Sequence, residues 1–294
     1  MKRLGFSVVV CFLFTAPLAA GDPGLKKTAD FVQSLQASSG GFMLAPRKPD
    51  LAPIIDLRTT SAAVRTLHYL GAEIPNKPAC VKYVDACYDP KTGGFSELPA
   101  GKPDVFSTAV GLMAISELKM PRDKYAAGAM KYLSENVKSF EDIRIAVAGL
   151  EAIQQKSPQT GAWIQDVKRL QNQDGTFGEG PGQARATGGS VAALLRLGAK
   201  PAQTDAILKV LKAGQRRNGG YGKGDSDLAA DLETTYRVMR CFVMLKARPD
   251  NVEGIRSFVA KCRNEDGGYG VAPGQPSTVN GTYYAAVILQ WLKQ

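Results

Sequence analysis

Four carboxylates, Asp225, Asp227, Asp231 and Glu233, fall within nine residues of one another, the densest acidic cluster near the start of any Ala- and Thr-rich segment of the chain. Such a cluster can donate a proton, hold a hard cation such as Mg²⁺ weakly through oxygen, or cap a helix. Asp231 stands at the start of the helical stretch 232–245, and an acid there meets unpaired backbone N–H groups and the positive end of the helix dipole. It is expected to be an N-cap, contributing about 1 kcal/mol. Glu233 needs another reason, because a carboxylate facing an enclosed space is either protonated or paired; Arg237 lies four residues on, at the spacing that pairs side chains along a helix. We expect Asp231 to cap, and Glu233 to line the mouth of a central cavity and contact a ligand or a polar group of a neighbouring inner helix. Lys223, Arg185, Arg216, Arg217 and Arg237 are the cations able to meet an anion there, and Tyr236 and Tyr283 are the aromatic candidates for ligand contact. The single histidine, His68, sits in the apolar run VRTLHYL; a packed or hydrogen-bonded imidazole is expected, not a metal ligand.

The elements that must position these groups are repeats. A Gly-Gly-aromatic signature recurs at Gly40-Gly41-Phe42, Gly93-Gly94-Phe95, Gly175-Thr176-Phe177, Gly219-Gly220-Tyr221 and Gly267-Gly268-Tyr269. Its aromatics are 53, 82, 44 and 48 residues apart, so the long gap reads as two units with one signature lost, making six units. Each unit runs from an amphipathic helix through a loop to a helix crowded with Ala, Gly, Thr and Val: 59–72, 106–118, 142–153, 187–199, 232–245 and 281–292. The signature glycines are read as left-handed caps just past the first helix, with the aromatic pinning the loop onto the helix layers. The second helices carry few long charged side chains, which suits helices with neighbours on most of their surface. The expected fold is an all-α closed α/α toroid of six helix pairs with the small-residue helices inside, because six units close more readily than they leave two apolar ends to cap.

The chain has 294 residues, 44% hydrophobic, enough for one large core without a linker. Lys2 and Arg3, the apolar run 4–14 and the small-residue stretch 15–21 form the three parts of a secretory signal. Residues 1–20 are therefore expected to be a signal peptide and the protein to be exported, periplasmic or secreted, with no transmembrane segment in the mature chain. Net charge is +10, and +8 without Lys2 and Arg3; the charges are scattered with no basic helix face, so nucleic acid is not an expected partner. Cys80, Cys87, Cys241 and Cys262 follow the leader and read as buried small hydrophobes, with a Cys241–Cys262 bridge open in an oxidising compartment.

The unit "helix, Cys/Gln-x-x-Asp-Gly-Gly-aromatic-Gly, loop, small-residue helix", clearest in 255–274, resembles the β subunit of protein prenyltransferases, most closely the Rab geranylgeranyltransferase type, and more distantly squalene and terpene cyclases. The resemblance covers residues 25–294. It implies a catalytic zinc held by Asp-x-Cys and a histidine; these positions fall on Asp231, Glu233 and Gly281, so two of the three ligand positions are altered and no metal or other cofactor is expected. The diphosphate positions implied by the family fall on Lys223, on the acidic stretch Gly224-Asp225-Ser226-Asp227, and on Ala186 beside Arg185; the family tyrosine after Asp-x-Cys falls on Thr234. Asp225-Ser226-Asp227-Leu228 resembles the first three positions of the cyclase Asp-x-Asp-Asp motif and lacks the fourth acid. The expected function is an exported toroid lacking zinc-dependent prenyl transfer, which binds an apolar or isoprenoid-like small molecule, or a protein partner, through its central cavity or rim. The alternatives are a transferase of the protein geranylgeranyltransferase type II β-subunit class, a cyclase-like enzyme with an altered site, and a purely structural module.

Overall fold

In the computed structural model, residues 23–47, 50, 52–224 and 230–293 are described. The leader at 1–20 and the candidates Asp225 and Asp227 lie outside the described residues. Among the described residues, twelve α-helices alternate between two layers. The outer helices are α1 (Pro23–Ser34), α3 (Lys77–Ala86), α5 (Ala126–Asn136), α7 (Thr160–Lys168), α9 (Thr204–Ala213) and α11 (Val252–Lys261). The inner helices are α2 (Leu57–Leu70), α4 (Val105–Glu117), α6 (Phe140–Ala152), α8 (Gln183–Arg196), α10 (Leu232–Met244) and α12 (Val279–Trp291). Each inner helix packs on the next, and α12 packs on α2, so the ring is closed. Thr28 donates to the Gly267 carbonyl at 2.8 Å and Arg263 to the Gly24 carbonyl at 2.7 Å across that closure. Two short antiparallel ribbons, β1 (Phe95–Ser96) with β2 (Pro103–Asp104) and β3 (Tyr221–Gly222) with β4 (Ala230–Asp231), are the named strands among the described residues.

The signature glycines have a different role from the one expected of them. The helix before each ends several residues earlier; α9 stops at Ala213, and Gly219 lies in a hairpin closed by Gly219 N–H to the Arg216 carbonyl at 2.9 Å and Arg216 N–H to the Gly220 carbonyl at 2.8 Å. The left-handed backbone is present, with φ +95° at Gly219, but it turns a hairpin instead of ending a helix. A Cβ at Gly219 would stand 1.9 Å from the Gly254 carbonyl oxygen on α11, so the turn also needs glycine in order to touch the next outer helix.

The chain must be extended at the signature because the aromatic's backbone N–H is committed elsewhere. Phe42, Phe95, Phe177, Tyr221 and Tyr269 each donate to a threonine hydroxyl in the first turns of the inner helix of the same unit: Thr60, Thr108, Thr187, Thr235 and Thr282, at 2.9–3.0 Å. The bonds are buried, and they join hairpin to inner helix five times over. The third unit lacks the hairpin; residues 137–139 connect α5 directly to α6, whose start is fixed by a capping box between Ser139 and Asp142. Acidic or hydroxyl N-caps open the other inner helices, Asp56, Asp104, Asp231 and Thr278, with α8 the exception at Gly182.

The four described cysteines are buried and unpaired. Of the two expectations for His68, packed or satisfied by a partner, the structure shows the second: its side chain is 59% exposed in the last turn of α2 and its Nδ1 lies 3.5 Å from Glu117, because position 68 turns out of the α2 packing faces.

Candidate functional site at the centre of the ring

An inner helix has a ring neighbour on each side and an outer helix behind it, which leaves one stripe facing the axis. On α10 that stripe reads Glu233, Tyr236, Arg237 and Arg240, the i, i+3, i+4, i+7 spacing of one helix face. The expectation that inner helices would be poor in long charged side chains fails here. They carry seven arginines and no lysine among the described residues, because the ring encloses a polar face where guanidinium groups meet carboxylates and aromatic rings.

Two groups of side chains make up this face. The first lies at the N-terminal ends of the inner helices. Glu233 accepts from Arg237 at 2.7 Å and from Arg185 of α8 at 3.0 Å, and Lys223 stands 3.8 Å away. Arg237, whose side chain is 13% exposed, also reaches Glu141 of α6 at 3.2 Å, and Glu141 is held by Arg144 at 2.7 Å. Burial alone would raise both carboxyls. The cations outweigh it: Arg237, Arg185 and Lys223 hold Glu233 below the usual carboxylate range, and Arg144 and Arg237 do the same for Glu141. Arg144 is lowered, by burial first and by Arg237 beside it. The pairing of α6 with α10 passes over α8 at Gly188 and Gly189, where a Cβ would find the Val238 Cα at 3.2 Å and the Arg144 side chain at 3.8 Å.

The second group lies deeper. Tyr236 and Tyr283, the two aromatic candidates, meet with hydroxyls 3.1 Å apart and ring centroids 5.6 Å apart. Trp291 stacks on Tyr236 at 5.4 Å and 19°, and Tyr284 and Tyr69 complete the cluster. Arg65 sits over the Tyr283 ring at 4.6 Å; Arg240 sits over Tyr236 at 4.6 Å and donates to its hydroxyl. Burial pushes the Tyr69 hydroxyl up to about 12 and raises Tyr283 and Tyr284 as well. Arg65, Tyr69 and Tyr284 are surrounded by protein on nearly every side, yet each keeps accessible surface. They stand on the axis-facing side of their inner helices.

Asp231, by contrast, is spent locally. Its carboxylate accepts from Thr234 N–H at 2.7 Å and from the Thr234 hydroxyl at 2.8 Å, so it caps α10 as expected and faces none of these groups. Arg216 donates to the Pro181 and Gly224 carbonyls and ties loops together. Sequence spacing pointed to the Glu233–Arg237 pair; it missed Arg185 as its partner, and Glu141, Arg144, Arg65, Arg240, Tyr69 and Trp291 altogether. The usable signal was the stripe of Arg, Tyr and Glu on otherwise small-residue helices, at 58, 65 and 69 and at 233, 236, 237 and 240.

The positions that would hold zinc do not fit the ion. Asp231 is engaged as a cap and Glu233 as an ion-pair acceptor, and a Cβ on Gly281 would lie 2.3 Å from the Tyr269 carbonyl oxygen, so no imidazole can stand there without moving the hairpin. Zinc sites want about three N, S or O donors converging on one point. Among the described residues no group of three or more His, Cys, Asp or Glu converges in that way.

The family model for the prenyltransferase alpha-alpha toroid domain matches residues 63–148 and 122–294. Among solved structures, the chain is similar to protein geranylgeranyltransferase-I from Candida albicans complexed with GGPP, at 12% identity over 93% of this chain and 91% of that one, TM-score 0.65. It is similar to type II terpene cyclase MstE from Scytonema, at 11% identity over 92% and 96%, TM-score 0.63. A protein from Actinoplanes matches at 14% identity over 92% and 98%, TM-score 0.59. No curated protein sequence matches the chain. At these identities the likeness concerns the fold.

Proposed function

Because the chain belongs to the prenyltransferase alpha-alpha toroid domain family, we propose that it is an exported toroid that binds an apolar, isoprenoid-like small molecule at the centre of its ring and does not perform zinc-dependent prenyl transfer. The observation that carries this reading is the aromatic cluster of Tyr69, Tyr236, Tyr283, Tyr284 and Trp291 on the axis-facing side of the inner helices. Aromatic walls with a few oriented polar groups are the usual lining of a small-molecule site. Two relatives of the fold were solved with isoprenoid compounds, GGPP in the Candida transferase and geranylgeranyl dihydroxybenzoate in a Scytonema cyclase variant. The loss of transfer chemistry rests on Glu233 and Gly281, which offer neither a thiolate nor an imidazole. Export rests on the leader-like residues 1–20.

Trp291 provides a readout. Geranylgeraniol titrated into mature protein should change the tryptophan emission saturably, and Tyr236→Ala should abolish the change while the protein stays folded. Metal analysis of the same sample should find no stoichiometric zinc. One zinc per chain, lost on Asp231→Ala, would overturn the reading in favour of a transferase.

A further inference from the structure

Five of the seven arginines on the inner helices touch a carboxylate: Arg58 at 3.3 Å from Glu97, Arg196 at 2.8 Å from Glu151, and Arg144, Arg185 and Arg237 in the group around Glu141 and Glu233. Arg65 and Arg240 do not. Among the described residues, no acid lies within ion-pair distance of either; Arg65 donates to the Met113 sulfur at 3.3 Å, and Glu117 acts on it only from farther off. Each occupies the ninth position of its helix, α2 and α10, roughly 12 Å along the axis from the N-terminal mouth. Between them stand the Tyr283 and Tyr236 rings, hydroxyl to hydroxyl. A guanidinium without a carboxylate in an enclosed site is costly, and the ring faces recover only part of the lost hydration.

We propose that Arg65 and Arg240 are the subsite for the carboxylate of an acidic isoprenoid-like ligand, bound deep in the ring with its head away from the mouth. The proposal rests on the reading of the ring centre as an apolar small-molecule site. Charge selects the head group. Arg65 and Arg240 against Glu117 leave one net positive charge, and Arg196 with Glu151 adds none, so a monoanion balances the site. The same residues select its shape. Arg65 gives one N–H to Met113 and bonds Tyr69, and Arg240 gives one to the Tyr236 hydroxyl; the remaining donors of each planar fork suit a carboxylate edge to edge. At the mouth four cations, Arg144, Arg185, Arg237 and Lys223, share the two acids Glu141 and Glu233. Charge alone does not exclude an anion there, but each of its arginines already spends N–H donors on a carboxylate, whereas Arg65 and Arg240 spend none on one.

Three ligands that share one chain and differ in the head test the assignment: farnesoic acid, farnesol and farnesyl diphosphate, titrated by calorimetry into mature protein at pH 7. The acid should bind wild-type protein at least about tenfold tighter than the alcohol, and the advantage should vanish below pH 4, where the ligand is protonated. Arg65→Gln and Arg240→Gln should each weaken the acid about tenfold and leave farnesol within about twofold, and Arg65→Lys should fall between. The head-group comparison uses wild-type protein, so it holds even if a variant fails to fold. Equal binding of acid and alcohol overturns the carboxylate subsite and leaves the apolar site standing. Tightest binding of the diphosphate, lost on Arg185→Gln, moves the anion to the mouth and also overturns it. Binding of none of the three removes the apolar site and the subsite together.

Discussion

Glu233 and Asp231 are two residues apart in the sequence and have unrelated jobs. The difference comes from what each can reach. Asp231 precedes the first turn of α10 and accepts from its own helix; asparagine caps nearly as well, so Asp231→Asn should cost only a few tenths of a kcal/mol in urea unfolding. Glu233 compensates Arg185 and Arg237 in a partly enclosed place, so Glu233→Gln should cost about 1–2 kcal/mol, below the range for fully buried pairs because the carboxylate keeps some water. The pH sign follows from the cations. A carboxyl held lower in the folded chain than in the unfolded one stabilises above its unfolded value, about 4.3, and that contribution is lost as pH falls. Wild-type protein should therefore lose more stability than Glu233→Gln between pH 5 and 3, measured by thermal melting; parallel curves would refute the pairing. The Glu233–Arg237 pair was legible because four residues on a helix put it on one face. Arg185, 48 residues away from Glu233, became its partner only through the packing of α8 on α10, and no local spacing announces that.

At the scale of the helix and its loop, the threonine that receives the aromatic's N–H is the common part of five units. The Thr content of the inner helices was visible in the sequence, but the reason for it was not, since a hydroxyl and a backbone N–H ten to eighteen residues apart leave no periodic trace. The glycines were misread for a related reason. Past a helix, a left-handed glycine looks the same whether it ends that helix or turns a hairpin beyond it. Replacing one threonine with valine leaves a buried N–H without a partner, at a cost of about 2 kcal/mol. Thr108→Val and Thr235→Val should each lose about that much, and the double variant should lose the sum, because the two joints lie on separate units. A markedly smaller loss in denaturant unfolding would mean that the hairpin finds another acceptor. Gly219→Ala meets both φ +95° and the Gly254 carbonyl oxygen, and should cost about 2 kcal/mol or more.

For the molecule as a whole, the count of six units and the closed all-helical ring followed from the repeat, including the unit with no signature, which the structure places at α5 and α6. What the repeat could not supply was the lining of the ring, because a toroid's axis is built from one stripe of each inner helix and the stripes meet only on closure. Closure joins the two ends of the described chain through Thr28 and Gly267. Thr28→Val together with Arg263→Met should therefore broaden the urea transition and lower its slope, as the ring gives way to an open stack whose end units fray.

The third unit has a consequence of its own. Five outer-to-inner connections are double-stitched, by a hairpin and by a threonine; the sixth is a bare link of three residues with a capping box behind it. A hoop with five riveted joints and one plain one yields at the plain one. When the protein is warmed toward melting, the amides of residues 137–143 should exchange with deuterium before those of any other inner-helix start, so that the circle parts beside Ser139 and not at the seam between its first and last helices.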